Sequence, residues 1–222
     1  MIHQSQQIIR KNIWFFTSYL LLLVIGLFPL LIYAKGDILI FLNNLHSEKL
    51  DILFISFNMI GHGIVYLYFL LVLAFFRLKY LILGATMFLG SGLFTHILKR
   101  IFDEPRPAIW FPESVVLSFV VEGFEKYQFQ SFPSGHTTAG FSIFLFLSIL
   151  TPNKSLGAVF AIAACLVAFS RVYLVQHFYI DIYFGSMVGV LGSLFFYVLI
   201  ESSPKITESS LYNFSLKEKI FG

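Results

Sequence analysis

His177 and Asp181 stand four residues apart, the spacing that brings two side chains onto one face of a helix. An aspartate just inside an apolar run is costly unless paired, and His177 is its ready partner. The carboxylate can accept from one ring nitrogen and leave the other as a free nucleophile. Pro133-Ser134-Gly135-His136 reads as an anion-binding helix start. Ser134 can cap, Gly135 lets the backbone come close, and the unpaired amides of the first turn point at a bound anion. His136 falls in that same turn. Lys99, Arg106 and Arg171 add three cations suited to phosphate oxygens: arginine as a planar fork, lysine as a point charge. Together they could hold a phosphate dianion and the extra charge that gathers when phosphorus becomes five-coordinate. Each residue also has a plainer use. A cation near a helix end can snorkel to headgroups, a serine can simply cap, and a His–Asp pair can simply join two helices. The case for chemistry is that they occur together.

Other polar residues carry less. His96, one turn before Lys99, is a possible lining residue or a helix-packing one. His62, between Gly61 and Gly63, reads as packing or a bend. Asp103, Glu104 and Glu125 could pair with Arg100 or Lys126, or tune which headgroup is admitted. His136, His177 and Asp181 could supply three metal ligands, but the neighbouring cations would repel a divalent ion, so neither a metal nor a cofactor is expected.

These residues need a scaffold, and composition says which kind. Apolar residues make up 58% of the 222 and charged residues 12%, where a soluble domain carries roughly 25% charge. Lipid must cover the excess. Charge-free apolar runs occupy residues 12–34, 53–76, 80–98, 135–150, 155–170 and 182–200. A bilayer needs about 20 residues per helix, so six transmembrane helices are expected, the two shortest only if their ends reach into flanking motif residues. The run at 12–34 is too long for a cleaved signal peptide. The expected architecture is an all-α polytopic membrane bundle: a polar lead at 1–11, a transmembrane domain at 12–200 with the motifs inside 99–181, and a polar tail at 201–222. Residues 36–51 and 113–129 should lie along the interface. Prolines 105, 107, 112 and 133 argue against a continuous helix through the long connection at 99–134.

Six crossings put the three polar clusters on one membrane face and both termini on the other. The terminal side then carries Arg10, Lys11, Arg77, Lys79, Lys154, Lys205, Lys217 and Lys219 against Glu201, Glu208 and Glu218, which favours cytoplasmic termini and an outward-facing site. The net charge of +3 reflects topology and gives no reason to expect nucleic acid. The single cysteine, Cys165, lies inside an apolar run, which excludes disulfides and disfavours thiolate metal binding.

The spacing K-x6-RP, PSGH and SR-x5-H-x3-D resembles the signature of the type 2 phosphatidic acid phosphatase (PAP2) superfamily. It is carried here by Lys99, Arg106 and Pro107, then residues 133–136, then Ser170, Arg171, His177 and Asp181. A proline often found after the second histidine is absent from FYIDIYFG. The resemblance implies a phosphatase in which His177 attacks phosphorus, oriented by Asp181, and His136 protonates the leaving group. Lys99, Arg106, Ser134, Gly135 and Arg171 would hold the phosphoryl oxygens. It also implies six helices with the site at the outer leaflet, here of a bacterial inner membrane facing the periplasm. The partner is then a membrane lipid phosphate: undecaprenyl pyrophosphate as first choice, or phosphatidylglycerol phosphate, phosphatidic acid or a lipid A phosphate. Phosphate transfer to another lipid, non-catalytic binding or transport of an anionic lipid, and haloperoxidase chemistry are the alternatives.

Overall fold

A computed structural model describes residues 2–111 and 128–221, and among these it contains helices and no strand. Helix α1 (Ile2–Lys11) leads into α2 (Ile13–Ile32), α3 (Asp37–Asn44), α4 (Glu48–Ile60), α5 (Gly63–Phe76) and α6 (Leu78–Phe102). A short α7 (Pro107–Trp110) is followed by α8 (Gly135–Leu150), α9 (Leu156–Tyr173) and α10 (Tyr179–Glu201). The small helices α11 (Pro204–Thr207), α12 (Ser210–Asn213) and α13 (Leu216–Phe221) complete the chain. Helix is the conformation these apolar runs must take, because no water is available within a bilayer to satisfy backbone groups. The surface is correspondingly apolar, with Leu31 73% and Tyr68 71% exposed.

Four helices, α2, α6, α9 and α10, are long and apolar enough to cross a membrane, and the bent pair α4–α5 makes a fifth if counted as one span. The expectation of six is met only in part. Helix α8 is apolar but has 16 residues, about 24 Å of rise against a hydrocarbon core of about 30 Å. It compensates by position: 11 of its 16 residues are buried, and α6, α9 and α10 pack around it. The run at 53–76 is also corrected. It is two helices meeting at 56°, broken where Gly61 ends α4 and His62 begins α5.

The N-terminal lead is helical rather than merely polar, and Gln4 Nε2 donates to the Glu201 carbonyl at 3.5 Å. The C-terminal tail folds back: the Leu78 amide donates to the Phe214 carbonyl at 3.0 Å, and Ser215 Oγ to the Phe76 carbonyl at 2.8 Å. Both termini therefore gather at one end of the bundle. Of the two stretches assigned to the interface, 36–51 holds α3 and the start of α4, while 113–127 lies outside the described residues.

Several polar side chains pair between helices. Thr95 Oγ1 donates to Thr138 Oγ1 at 3.0 Å, and Thr138 Oγ1 lies 3.1 Å from the Gly185 carbonyl. Tyr179 and Tyr183 donate to the Gly26 and Leu23 carbonyls of α2. Such bonds contribute about 0.6 kcal/mol each in membranes, so close packing must supply most of the cohesion. Helix α10 meets the start of α8 through Gly185, where an added Cβ would lie 2.9 Å from the Ser134 carbonyl oxygen and 3.3 Å from its amide nitrogen. Backbone cannot step aside as a side chain can. Gly185→Ala is expected to force α8 and α10 apart and to cost about 1–3 kcal/mol, read as a lower thermal unfolding midpoint in detergent. Gly92→Ala, where nothing lies within 4 Å of the added Cβ, should instead raise the midpoint slightly through helix propensity.

Candidate active site

Four helix ends converge at the end of the bundle away from the termini. The last turns of α6 and α9 bring Lys99 and Arg171, the first turns of α8 and α10 bring His136 and Asp181, and His177 sits in the short turn between α9 and α10. The Ser134 amide donates to the Asp181 carbonyl at 3.0 Å, which ties the two N-terminal turns together.

The centre of the site is one buried oxygen. Asp181 Oδ2 accepts from Ser131 Oγ at 2.5 Å and from the Phe178 amide at 2.9 Å, and lies 3.3 Å from His177 Nδ1. Ser131 Oγ is also 3.4 Å from that ring nitrogen. Ser131, His177 and Asp181 are all at most 1% exposed. Helix α10 begins at Tyr179, so His177 precedes the helix and the turn still delivers it to the carboxylate four residues on. With Nδ1 held, the tautomer follows from the partner, and Nε2 is the nitrogen available for chemistry. Burial, then the charges of Arg106, Arg171 and Lys99, hold the His177 imidazole well below its ordinary pKa. The ring is therefore neutral at pH 7 and its lone pair is unprotonated.

The cations surround this pair. Lys99 Nζ donates to the Gln130 carbonyl. Arg106 Nε donates to the Phe129 carbonyl at 3.1 Å and one terminal nitrogen to the Gln176 carbonyl at 3.4 Å. Arg171 is 4% exposed and donates to Asn58 Oδ1. Lys99 lies within electrostatic reach of Arg106, Arg171 and Asp181, and His136 within reach of Arg171, His177, His62 and Arg106. At the start of α8 the Ser134 hydroxyl accepts from the Thr137 amide at 3.4 Å and from Thr137 Oγ1 at 3.0 Å. The nearest atoms to a Cβ built on Gly135 are Thr95 Cγ2 at 3.9 Å and Lys99 Cε at 4.0 Å. No neighbour forbids a side chain there, so the open backbone faces the lysine and leaves room for a ligand.

His96 lines a cavity of about 350 Å³ together with His62, Lys99 and His136. Glu104 pairs with Lys35 at 2.9 Å, a partner from the α2–α3 turn in place of the suggested Arg100, and Lys35 also lies 4.8 Å from the centroid of the Phe178 ring. Glu125 and Lys126 fall outside the described residues. Sequence reasoning missed Asn58, Ser131 and Lys35 as neighbours of the site, and gave His62 a role in packing or a bend, of which the bend is found, but no place beside His136. Ser131 had a signal in its place two residues before the PSGH run. Asn58 and His62 had one in their spacing, as two polar residues four apart inside an apolar run.

The lowered His177 pKa fixes a sign. Below about pH 6.5 the unfolded chain takes up a proton that the buried ring refuses, so its contribution to stability is present above that pH and lost as pH falls. Thermal unfolding in detergent from pH 8 to 5 should show a falling midpoint, and His177→Gln should flatten that dependence.

The geometry can be set beside known proteins. Residues 79–204 match the model of the PAP2 superfamily. Lipid phosphate phosphatase 1 of Arabidopsis thaliana is 29% identical over 51% of this chain and 42% of its own length. Undecaprenyl-diphosphatase BcrC of Bacillus subtilis is 26% identical over 53% of this chain and 57% of its own. The matches thus span about half the length of these curated relatives. The crystal structure of Aquifex aeolicus LpxE superposes with a TM-score of 0.63 at 26% identity, covering 74% of this chain and 96% of that one. The PAP2-type phosphatidylglycerolphosphate phosphatase of Bacillus subtilis gives 0.59 at 22% identity over 86% and 96%, a likeness of fold. Since the family match takes in all three clusters and more than half of the sequence, this all-α, multi-pass membrane chain belongs to the PAP2 superfamily.

Proposed function

We propose that this protein is a metal-independent phosphatase of lipid phosphate esters or pyrophosphates, working through a phosphohistidine. The observation that carries the reading is a buried imidazole whose Nδ1 is held by Asp181, with three cations close by. His177 Nε2 attacks phosphorus, and the bond to the leaving oxygen breaks as His136 gives that oxygen its proton. Lys99, Arg106, Arg171 and the first-turn amides of α8 around Gly135 take the charge on the equatorial oxygens. Ser134 acts by capping that turn. In the second half, water attacks the phosphohistidine, His136 takes the water proton, and His177 leaves with its lone pair restored. The donor set supports chemistry without a metal, because the one carboxylate at the centre already serves Ser131, Phe178 and His177.

In this reading α8 also crosses the bilayer, shielded by its neighbours, which makes six spans with both termini cytoplasmic and the site at the outer leaflet of a bacterial inner membrane. The substrate class is a membrane lipid ending in phosphate or pyrophosphate. The names of two relatives, lipid phosphate phosphatase 1 and undecaprenyl-diphosphatase BcrC, support that class, and undecaprenyl pyrophosphate is the first candidate within it.

The test is phosphate release by purified protein in detergent with excess chelator. The panel is undecaprenyl pyrophosphate, phosphatidylglycerol phosphate, phosphatidic acid and a lipid A phosphate. Release from at least one lipid is expected, with His177→Ala losing on the order of 10⁴-fold or more. Rapid quenching with labelled substrate should trap a protein-bound phosphoryl group that survives alkali and is lost in acid, as a phosphoramidate is. No release from any lipid by folded protein, or a fully active His177→Ala, would defeat the proposal.

A further inference from the structure

Helices α4 and α5 carry none of the three motifs, yet the break between them forms a wall of the site. Asn58, in the last turn of α4, is 7% exposed, and its Oδ1 accepts from the Arg171 guanidinium. Four residues on, at the bend, His62 begins α5, and its Nδ1 accepts from the Ile64 amide at 3.4 Å. The His62 ring meets the His136 ring edge to face, with centroids 5.7 Å apart and planes at 81°. Between the two, Gly61 lets the break press against α8. A Cβ there would lie 3.1 Å from the His136 carbonyl oxygen, 3.4 Å from the His136 Cβ and 2.8 Å from Val167.

A bend of 56° in a helix facing lipid needs a cause. Gly-His-Gly supplies the local one. At the bend, Asn58 and His62 lie against residues of two different motifs. Long side chains lose rotamer freedom when a ligand fixes them, and a partner that holds them beforehand lowers that penalty. Asn58 provides such a partner for Arg171, and the His62 ring provides a stacking surface for His136.

We infer that the α4–α5 break is a positioning element for the reaction proposed above, in which Asn58 aims Arg171 and His62 sets the ring of His136. The inference rests on that reaction and adds two residues to it. Neither touches the reacting atoms; each acts through a motif side chain.

Double-mutant cycles separate this from simple packing. Asn58→Leu should reduce lipid phosphate turnover about tenfold in the wild-type background and weaken inhibition by orthovanadate by a similar factor, yet add little in an Arg171→Ala background. For His62 the readout is the leaving group. The lipid for this comparison is a phosphomonoester such as phosphatidic acid, whose alkoxide needs the proton of His136, whereas p-nitrophenolate leaves without one. His62→Ala should therefore slow the lipid about tenfold and p-nitrophenyl phosphate by less than about twofold, with His62→Phe restoring much of the loss. Thermal midpoints measured in parallel show whether each variant is folded. Additive losses with Arg171→Ala, unchanged orthovanadate inhibition in Asn58→Leu, or equal losses on both leaving groups in His62→Ala, each overturn the inference while wild-type activity keeps the parent reading intact. A wild-type protein inactive on every lipid takes both readings down together.

Discussion

A single carboxylate oxygen, buried where the apolar bundle begins, sets the terms for the rest of the molecule. Left alone, an ionised aspartate at 1% exposure would be neutralised or would unfold its surroundings. Asp181 Oδ2 avoids this by taking a hydroxyl, an amide and an imidazole at once. The donors come from two stretches of backbone far apart in the chain. Ser131 brings the approach to α8, Phe178 the entry into α10, and His177 the turn after α9. The convergence of helix ends is thus a requirement of solvating that oxygen without water, and the orientation of His177 is a by-product of the same arrangement. Local stability and reactivity share one set of contacts.

The short α8 belongs to the same logic. A helix that starts at the site and lies within a ring of others has no need to span on its own, and small or hydroxyl-bearing residues let its neighbours come close. Thr138 bonds to both α6 and α10, and α10 offers only glycine where it meets Ser134. Precise spacing at the reactive end is obtained from backbone contact and short side chains, which have few rotamers to explore. The outer helices, by contrast, present Leu31 and Tyr68 outward and serve mainly as the layer that meets lipid.

Much of this was legible in the sequence, and the parts that were not share a cause. Counting charge-free runs placed Lys99, His136, Arg171 and His177 at helix ends on one side, because span length and residue number are one-dimensional quantities. The i,i+4 spacing of His177 and Asp181 survived even though the helix begins two residues late. What the chain order hid was through-space. An apolar run of 24 residues looks the same whether straight or bent; Gly61 and Gly63 offered a bend at His62, but not what that bend lays against the site, so the contact of Asn58 with Arg171 was missed. Lys35 drew no reading from the sequence, although it reaches Glu104 69 residues away. The count of six spans was met only in part for a related reason: composition reports that α8 is apolar but not that protein surrounds much of it.

The ends of the long connection after α6 are fastened to each other before the chain reaches α8. The Arg106 amide donates to the Gln128 carbonyl at 2.8 Å, and the Ser131 amide to the Glu104 carbonyl at 2.9 Å. This clasp closes at its base a loop that includes residues 107–127. Arg106 and Ser131, the two site residues on either flank, are held in part by this clasp. Two flanks fastened to each other in this way keep the exit of α6 and the approach to α8 in register at the edge of the site, much as a buckle fixes the two ends of a strap.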